Sequence, residues 1–309
     1  MRLVFFGTPD FAVPSLRALL ASRHAVVGVV CQPDRPAGRG QHLAVPPVKR
    51  VAAEAGVPVL QPEKVRTVEF LDALRAWMPE LIVVAAYGRI LPAAILDLPP
   101  HGCVNVHASL LPKYRGAAPI QWAILRGEPA TGITIMQMVE EMDAGGILLQ
   151  RDTAIGPAET GGELQTRLAQ LGADLLLEAL DRLEGGTLRP TPQDEAAATF
   201  APMIHKEDGR IDWSRPAVEI ARAVRAFNPW PSAFTTLGGK VLKIHSAHAV
   251  EGRATPIPGT VLAVADGLAV ATGKGRLVVG ELQVEGRKRL LVRDFVRGGQ
   301  VTPGVVLGS

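Results

Sequence analysis

Five short apolar runs recur through the first 150 residues: Leu3–Phe6, Val26–Cys31, Leu81–Ala86, Val104–Val106 and Ile133–Met138. Runs of this length match buried strands, and helical patterns separate several of them. Those patterns cover Phe11–Leu20, Pro47–Ala55, Val68–Trp77 and Ala117–Leu125, with Gly56 and Gly127 as stop signals. Buried strands alternating with helices predict an α/β fold, a doubly wound, mostly parallel sheet covered on both faces. Ligands bind such sheets beyond the carboxyl ends of the strands. The first strand runs into Gly7-Thr8-Pro9-Asp10, without a Gly-x-Gly-x-x-Gly fingerprint, and the chain has no P-loop. A dinucleotide or nucleoside-triphosphate site is therefore not expected.

The second half reads differently. Glu163–Leu183 is a long amphipathic helix closed by Gly185 and Gly186. Thr187–Ala201 is rich in Pro, Thr, Ala and acidic residues with little periodicity, which predicts an exposed linker. A helix over Ala217–Phe227 follows. Short strands come next over Ala233–Leu237, Val241–His248, Thr260–Val264, Leu268–Ala271 and Arg276–Leu282. Five short strands within about 50 residues predict a small, OB-like β-barrel. The expected organisation is a catalytic domain over 1–186, a linker over 187–207 and a barrel domain over 208–309.

Composition narrows the class. With 47% hydrophobic and 20% charged residues the chain reads as a soluble globular protein. No apolar run reaches the roughly 18 residues that span a bilayer, so no membrane segment is expected. Met1–Gly7 enters a strand directly, without the features of a signal peptide, which predicts a cytoplasmic protein. Cys31 and Cys103 sit in apolar surroundings and read as buried thiols. The histidines show no ligand spacing, so no catalytic metal is expected. Net charge is +3 but uneven. Residues 206–309 carry 15 Lys+Arg against 9 Asp+Glu, or +6, and residues 1–205 carry 18 against 21, or −3. A basic second part suggests an anionic macromolecule beside it, although an Arg-rich surface without a partner has the same composition. A monomer is expected, since no exposed apolar helix or strand demands a partner.

The chemistry concentrates in Asn105-Val-His107-Ala-Ser109-Leu-Leu-Pro-Lys113, with Asp143 about thirty residues on. Side chains two apart on a strand share a face, so Asn105, His107 and Ser109 project together while Val104 and Val106 pack behind. Polar groups buried together need partners, and an amide, an imidazole and a carboxylate are what acyl transfer to an amine requires. A lone histidine is more often a satisfied core residue, and a carboxylate before Gly145-Gly146 is a common turn. Together they read as a site, with Asp143 orienting His107. Arg35-Pro-Ala-Gly-Arg39-Gly40 is either an exposed loop or a phosphate-contacting one. Tyr87-Gly88 either rims a ligand pocket or makes a turn. Trp213 and Asn228-Pro-Trp-Pro231 read as packing and turn elements.

Asn105-Val-His107-x-Ser109-Leu-Leu-Pro112 with Asp143 resembles the signature of the folate-dependent formyltransferases. The resemblance extends through Phe6–Phe11, Gln32–Gly40, Val84–Gly88, Arg115–Gln121, Thr131–Met138 and Arg225–Pro231, and fades after about residue 250. It implies a Rossmann-like catalytic domain and 10-formyltetrahydrofolate as formyl donor. The Arg35–Arg39 loop and the appended domain resemble the branch of the family whose acceptor is initiator methionyl-tRNA. By resemblance Asn105, His107 and Asp143 carry catalysis. Ser109, Leu110, Leu111 and Pro112 contact the folate, with Tyr87 and Gly88 nearby. Arg35, Arg39, His42 and Lys206 contact tRNA. Ala108 departs from the pattern, since many members have glycine there. A formyltransferase acting on a small-molecule amine would share Asn105, His107 and Asp143 without needing the basic domain. A folate-dependent hydrolase would release formate with no acceptor.

Overall fold

The computed structural model describes residues 1–37, 42–252, 257–263, 267–298 and 301–308. The chain divides into two units. One comprises Met1–Pro119, Ala130–Ala154 and Gln165–Pro202, the other Ile120–Pro129, Ile155–Leu164 and Met203–Ser309.

The chain opens with β1 (Arg2–Gly7), α1 (Val13–Leu20) and β2 (Ala25–Val30). A short antiparallel hairpin follows, β3 (Arg35–Ala37) with β4 (His42–Ala44). Next come α2 (Pro47–Glu54), β5 (Val59–Leu60), α3 (Val68–Ala76), β6 (Leu81–Ala85) and α4 (Ala93–Leu96). Then β7 (Cys103–His107), α5 (Pro119–Arg126), β8 (Ala130–Gln137), β9 (Ile147–Ala154) and α6 (Gly161–Glu184) complete this stretch. The sheet has the order β5-β2-β1-β6-β7-β8-β9. β5 through β7 run parallel, and β8 and β9 are antiparallel additions beyond β7. The chain winds one way from β1 and the other way from β6, so the switch point lies between these two strands. The apolar runs expected as strands are those that form the buried centre: β1 is buried over Leu3–Phe6 and β6 throughout.

Phe6 meets Phe70 and Tyr87 edge to face on one side of this sheet, with ring centroids 6.4 and 5.1 Å apart. Thr67 caps α3 by accepting a hydrogen bond from the Phe70 N–H, which fixes where that helix delivers its phenyl ring. Behind β7, α6 comes close at Gly172. A methyl group there would lie 2.8 Å from the Val106 side chain. That contact takes Val106 on the face of β7 opposite Asn105 and His107.

The segment expected as an exposed linker is largely exposed, and it also pairs with the first unit. Residues 187–202 belong to the first unit. Thr191 exchanges main-chain hydrogen bonds with Ile147 in β9, and Thr199 and Ala201 pair with Arg115. Composition concealed this, because the bonds are made by the backbone, to Ile147 and Arg115 far back along the chain.

The second unit carries α7 (Ala217–Ala226), β10 (Ala233–Leu237), β11 (Lys240–Val250), β12 (Val261–Ala263), β13 (Leu268–Ala271), β14 (Arg276–Val284), β15 (Leu290–Leu291) and α8 (Val292–Arg297). The antiparallel sheet has the order β10-β11-β14-β13-β12, with β15 against β14. Residues 301–308 bring its ends together. Val261 N–H donates to Val305 O, and Gly308 N–H donates to Thr236 O. The edges at β12 and β10 are thereby joined, as a small barrel requires. Trp213, Ile220, Val224, Leu242, Leu277 and Phe295 fill its interior. No described helix is long and apolar enough to cross a membrane.

Candidate active site

β7 delivers Asn105 and His107 near its carboxyl end, two residues apart and therefore on one face. His107 is buried, and both ring nitrogens face oxygen atoms. Nε2 lies 3.0 Å from the Tyr114 carbonyl, and Nδ1 lies 3.6 Å from Asp143 Oδ2. A carbonyl only accepts, so Nε2 carries a proton and donates it to Tyr114. Proton exchange is then confined to Nδ1, the edge that faces the carboxylate. The half-buried Asn105 amide has no hydrogen-bond partner among the described residues. It is the uncommitted donor of the site.

Asp143 reaches this position from a backbone with φ 54°. The left-handed region costs a residue with a Cβ roughly 1–2 kcal/mol, least for Asp and Asn. Two sets of contacts hold it there. Gly116 N–H donates to Asp143 Oδ2 at 2.8 Å. The Gln193 side-chain amide donates to the Asp143 and Gly145 carbonyls, both at 2.7 Å. Gln193 is held in turn by Arg115, whose Nη2 lies 2.8 Å from Gln193 Oε1 and 2.7 Å from Glu195 Oε1. The Arg115 side chain is only 2% exposed. Its hydrogen bonds to Glu195 raise the guanidinium above its ordinary pKa and hold the Glu195 carboxyl below the ordinary carboxylate range.

The segment after β7 is braced from β8 and β9. Thr134 Oγ1 donates to Ser109 O and accepts from Leu111 N–H, at 2.7 and 3.1 Å. Gln150 Nε2 donates to Leu111 O and Thr134 Oγ1, at 2.8 and 2.9 Å. Ser109 is fully buried and its hydroxyl donates to Lys113 O at 2.6 Å. β7 ends at His107, so Ser109 does not continue the strand face as alternation implied. It locks the turn instead. Leu110 stays half-buried over Gly132, where a methyl group would come within 2.6 Å of its side chain.

Beside this arrangement a cavity of about 610 Å³ opens beyond the carboxyl ends of β1, β2 and β6. Thr8, Gln32, Arg35, Tyr87, Gly88 and Arg89 are among its lining residues, with a row of prolines. Arg35, Tyr87 and Gly88 are thus brought together, and Arg35 lies in a hairpin rather than a featureless loop. Burial pushes the Tyr87 phenol up to about 12, so it stays neutral. Arg39 lies outside the described residues, and of His42 only the backbone, at the start of β4, is described. Lys206 is exposed and begins a 3-10 turn (Lys206–Gly209) in the second unit.

Thr134, Gln150, Thr199, Gln193, Arg115 and Gly116 were missed by sequence reasoning as parts of the site. Arg115 and Gly116 stand in a motif quoted for the resemblance, and a charged residue beside a glycine there was a usable signal. Gln193 offered none, since its partners lie 48 to 78 residues away.

The described geometry gathers an amide, an imidazole and a carboxylate at the end of β7, and comparison with known proteins shows the family that carries them. Residues 1–180 match the family model described as formyl transferase, and residues 203–300 match that of the formyl transferase C-terminal domain. The methionyl-tRNA formyltransferase of Desulfotalea psychrophila is 55% identical over 99% of this chain and 95% of its own length. That of Citrifermentans bemidjiense is 52% identical over 100% of this chain and 97% of its own. Among solved structures, HypX from Aquifex aeolicus in complex with tetrahydrofolic acid superposes with a TM-score of 0.63 at 22% identity. That match covers 97% of this chain and 47% of HypX, and it speaks to the fold. The chain belongs to the formyl transferase family, in its methionyl-tRNA formyltransferase branch.

Proposed function

We infer that this enzyme transfers the formyl group of 10-formyltetrahydrofolate to the α-amine of methionine esterified to initiator tRNA. The observation that carries the reading is the convergence of Asn105, His107 and Asp143 at the end of β7, in a chain half identical to methionyl-tRNA formyltransferases over its full length.

The formyl donor supplies an acyl carbon bonded to a nitrogen leaving group. The site's donors and base fit that group. As the amine adds, negative charge gathers on the formyl oxygen, and the uncommitted Asn105 amide donates to it. His107, protonated at Nδ1, is the second donor. A preorganised donor of this kind is worth about 10²–10³ in rate. Asp143 balances the imidazolium and takes the proton that leaves the amine. The intermediate then collapses, the bond from the formyl carbon to the folate nitrogen breaks, and that nitrogen leaves with a proton returned to it. Holding the two substrates together supplies much of the remaining acceleration, so no covalent enzyme intermediate is required.

Ser109, Leu110, Leu111 and Pro112 form the folate-contacting turn in this reading. Support comes from the Thr134 and Gln150 braces, which fix the main chain on both sides of half-buried Leu110. Tyr87 and Gly88 line the neighbouring cavity. The segment of sequence that carries Arg35, Arg39 and His42 meets the acceptor end of the tRNA in this reading, and Lys206 meets its backbone. The positive second unit adds sequence-independent attraction. The enzyme acts as a monomer in the cytoplasm. A sedimentation mass near the chain's 32.8 kDa supports the oligomeric part, and a stable dimer overturns it.

The deciding experiment measures transfer of labelled formyl to methionine on initiator tRNA, to methionine on elongator tRNA and to free methionine. Transfer confined to the initiator supports the reading. Equal transfer to free methionine, or formate release without an acceptor, contradicts it.

A further inference from the structure

We propose that Gln193 is a positioning residue for Asp143, set by Arg115, so that the 187–202 segment is part of the catalytic apparatus. The proposal rests on the reading that Asp143 serves formyl transfer.

Four contacts define the Gln193 side chain. Its Oε1 accepts from Arg115 Nε and Nη2, at 3.1 and 2.8 Å. A guanidinium only donates, so the amide can face it only through oxygen. Its nitrogen then points at two carbonyls, Asp143 O and Gly145 O, and uses both protons on them. The amide is fully committed and its orientation is fixed by the chemistry of its neighbours. Glu195 holds the other edge of the Arg115 guanidinium, which leaves the arginine no alternative rotamer without losing a bidentate pair.

The placement matters because Asp143 sits in the left-handed region, where its backbone does not rest by preference. Gln193 clamps the carbonyl of that residue and of Gly145. Gly145 itself packs so tightly that a methyl group there would overlap Gln137 O. With the backbone held, the carboxylate reaches both Gly116 N–H and the Nδ1 edge of His107. The same segment supports the other side of the imidazole. Thr199 Oγ1 accepts from Tyr114 N–H at 2.9 Å, and Tyr114 O is the acceptor for His107 Nε2. One strap thus sets the partner at each ring nitrogen.

Gln193→Glu is the discriminating change. It preserves size and the arginine contact but turns a second oxygen toward two carbonyl oxygens. Gln193→Met removes the donors without adding charge, and serves if the glutamate variant does not fold. Each is measured in the full-length enzyme, alone and combined with Asp143→Ala, by single-turnover formyl transfer to initiator methionyl-tRNA. Thermal unfolding and KM for both substrates are recorded alongside. The expected result is a fall in rate of about 10- to 100-fold, with each KM within about threefold of the parent. In the Asp143→Ala background the same change costs less than about twofold, because a residue acting through Asp143 has nothing left to position. An equal loss in both backgrounds, a loss confined to KM, or an unchanged rate overturns the proposal. Should Asp143→Ala itself retain full rate, the reading of Asp143 fails instead, whatever Gln193 does.

Discussion

His107 and Asp143 face each other at 3.6 Å, Nδ1 to Oδ2, while the opposite ring nitrogen of His107 is tied to the Tyr114 carbonyl at 3.0 Å. The imidazole therefore has one fixed edge and one working edge. The working edge meets a carboxylate that accepts from the Gly116 N–H, on a main chain whose carbonyl accepts from Gln193.

Gly116 has φ 121°, and a methyl group there would sit 2.7 Å from Ala201 O. Gly116→Ala is expected to part the 112–118 turn from residues 199–201 and to draw its N–H away from Asp143. The expected cost is about 1–3 kcal/mol of stability, with a fall in the transfer rate. Urea unfolding and single-turnover kinetics check it. A variant with parental stability and rate would show that the turn tolerates the methyl group.

Thr134 is the hub that fixes Ser109 O and Leu111 N–H. Thr134→Val keeps the shape and leaves the buried Leu111 N–H unpaired, at a cost of about 1–3 kcal/mol. If Leu110–Pro112 contacts the folate, KM for the formyl donor rises more than KM for the tRNA. A rise confined to the tRNA side would move this turn out of the folate site.

Much of this was legible beforehand, for identifiable reasons. The buried strands β1, β2, β6 and β7 and the helices α1 to α3 announce themselves through local apolar runs and stop signals. Asn105 and His107 are tied by strand alternation, which is also local. The role of residues 187–202 was not legible. Thr199 and Gln193 act through single polar atoms on partners far away in sequence, and nothing periodic marks them. Barrel closure by residues 301–308 was hidden for the same reason, since isolated main-chain bonds such as Gly308 to Thr236 do it. Ser109 shows the limit of a pattern extended one step too far, because the strand ends two residues before it.

The two thiols give a pH prediction. Burial pushes Cys31 up to about 11 and Cys103 up to about 12, from an ordinary value of 9.0. The folded thiols hold their protons more tightly than unfolded ones. Their contribution to stability is complete below about pH 9 and is lost as pH rises through 11 to 12. The melting temperature is expected to fall across that window. At pH 8 both thiols should react with a small alkylating reagent far more slowly in the native protein than in urea. Fast labelling of the native protein would show that one of them is accessible.

The second unit's positive charge predicts salt-sensitive tRNA binding. Arg287 and Lys288 are exposed just beyond β14. Replacing both with Ala should weaken tRNA binding uniformly and flatten the dependence of log Kd on log salt, by about 0.7–0.9 for each phosphate no longer neutralised. Formyl transfer at saturating tRNA should be unchanged. An unaltered salt slope would place the tRNA-binding surface elsewhere.

The most direct test of the central claim is the single-turnover rate of formyl transfer to initiator methionyl-tRNA in Asn105→Ala and Asp143→Asn. Asparagine tolerates the left-handed backbone at 143, so that variant removes the charge and spares the loop. A fall of about 10²–10³ in each, with little change in melting temperature, is the expected result. Rates within about threefold of the parent enzyme would contradict the roles given to both residues.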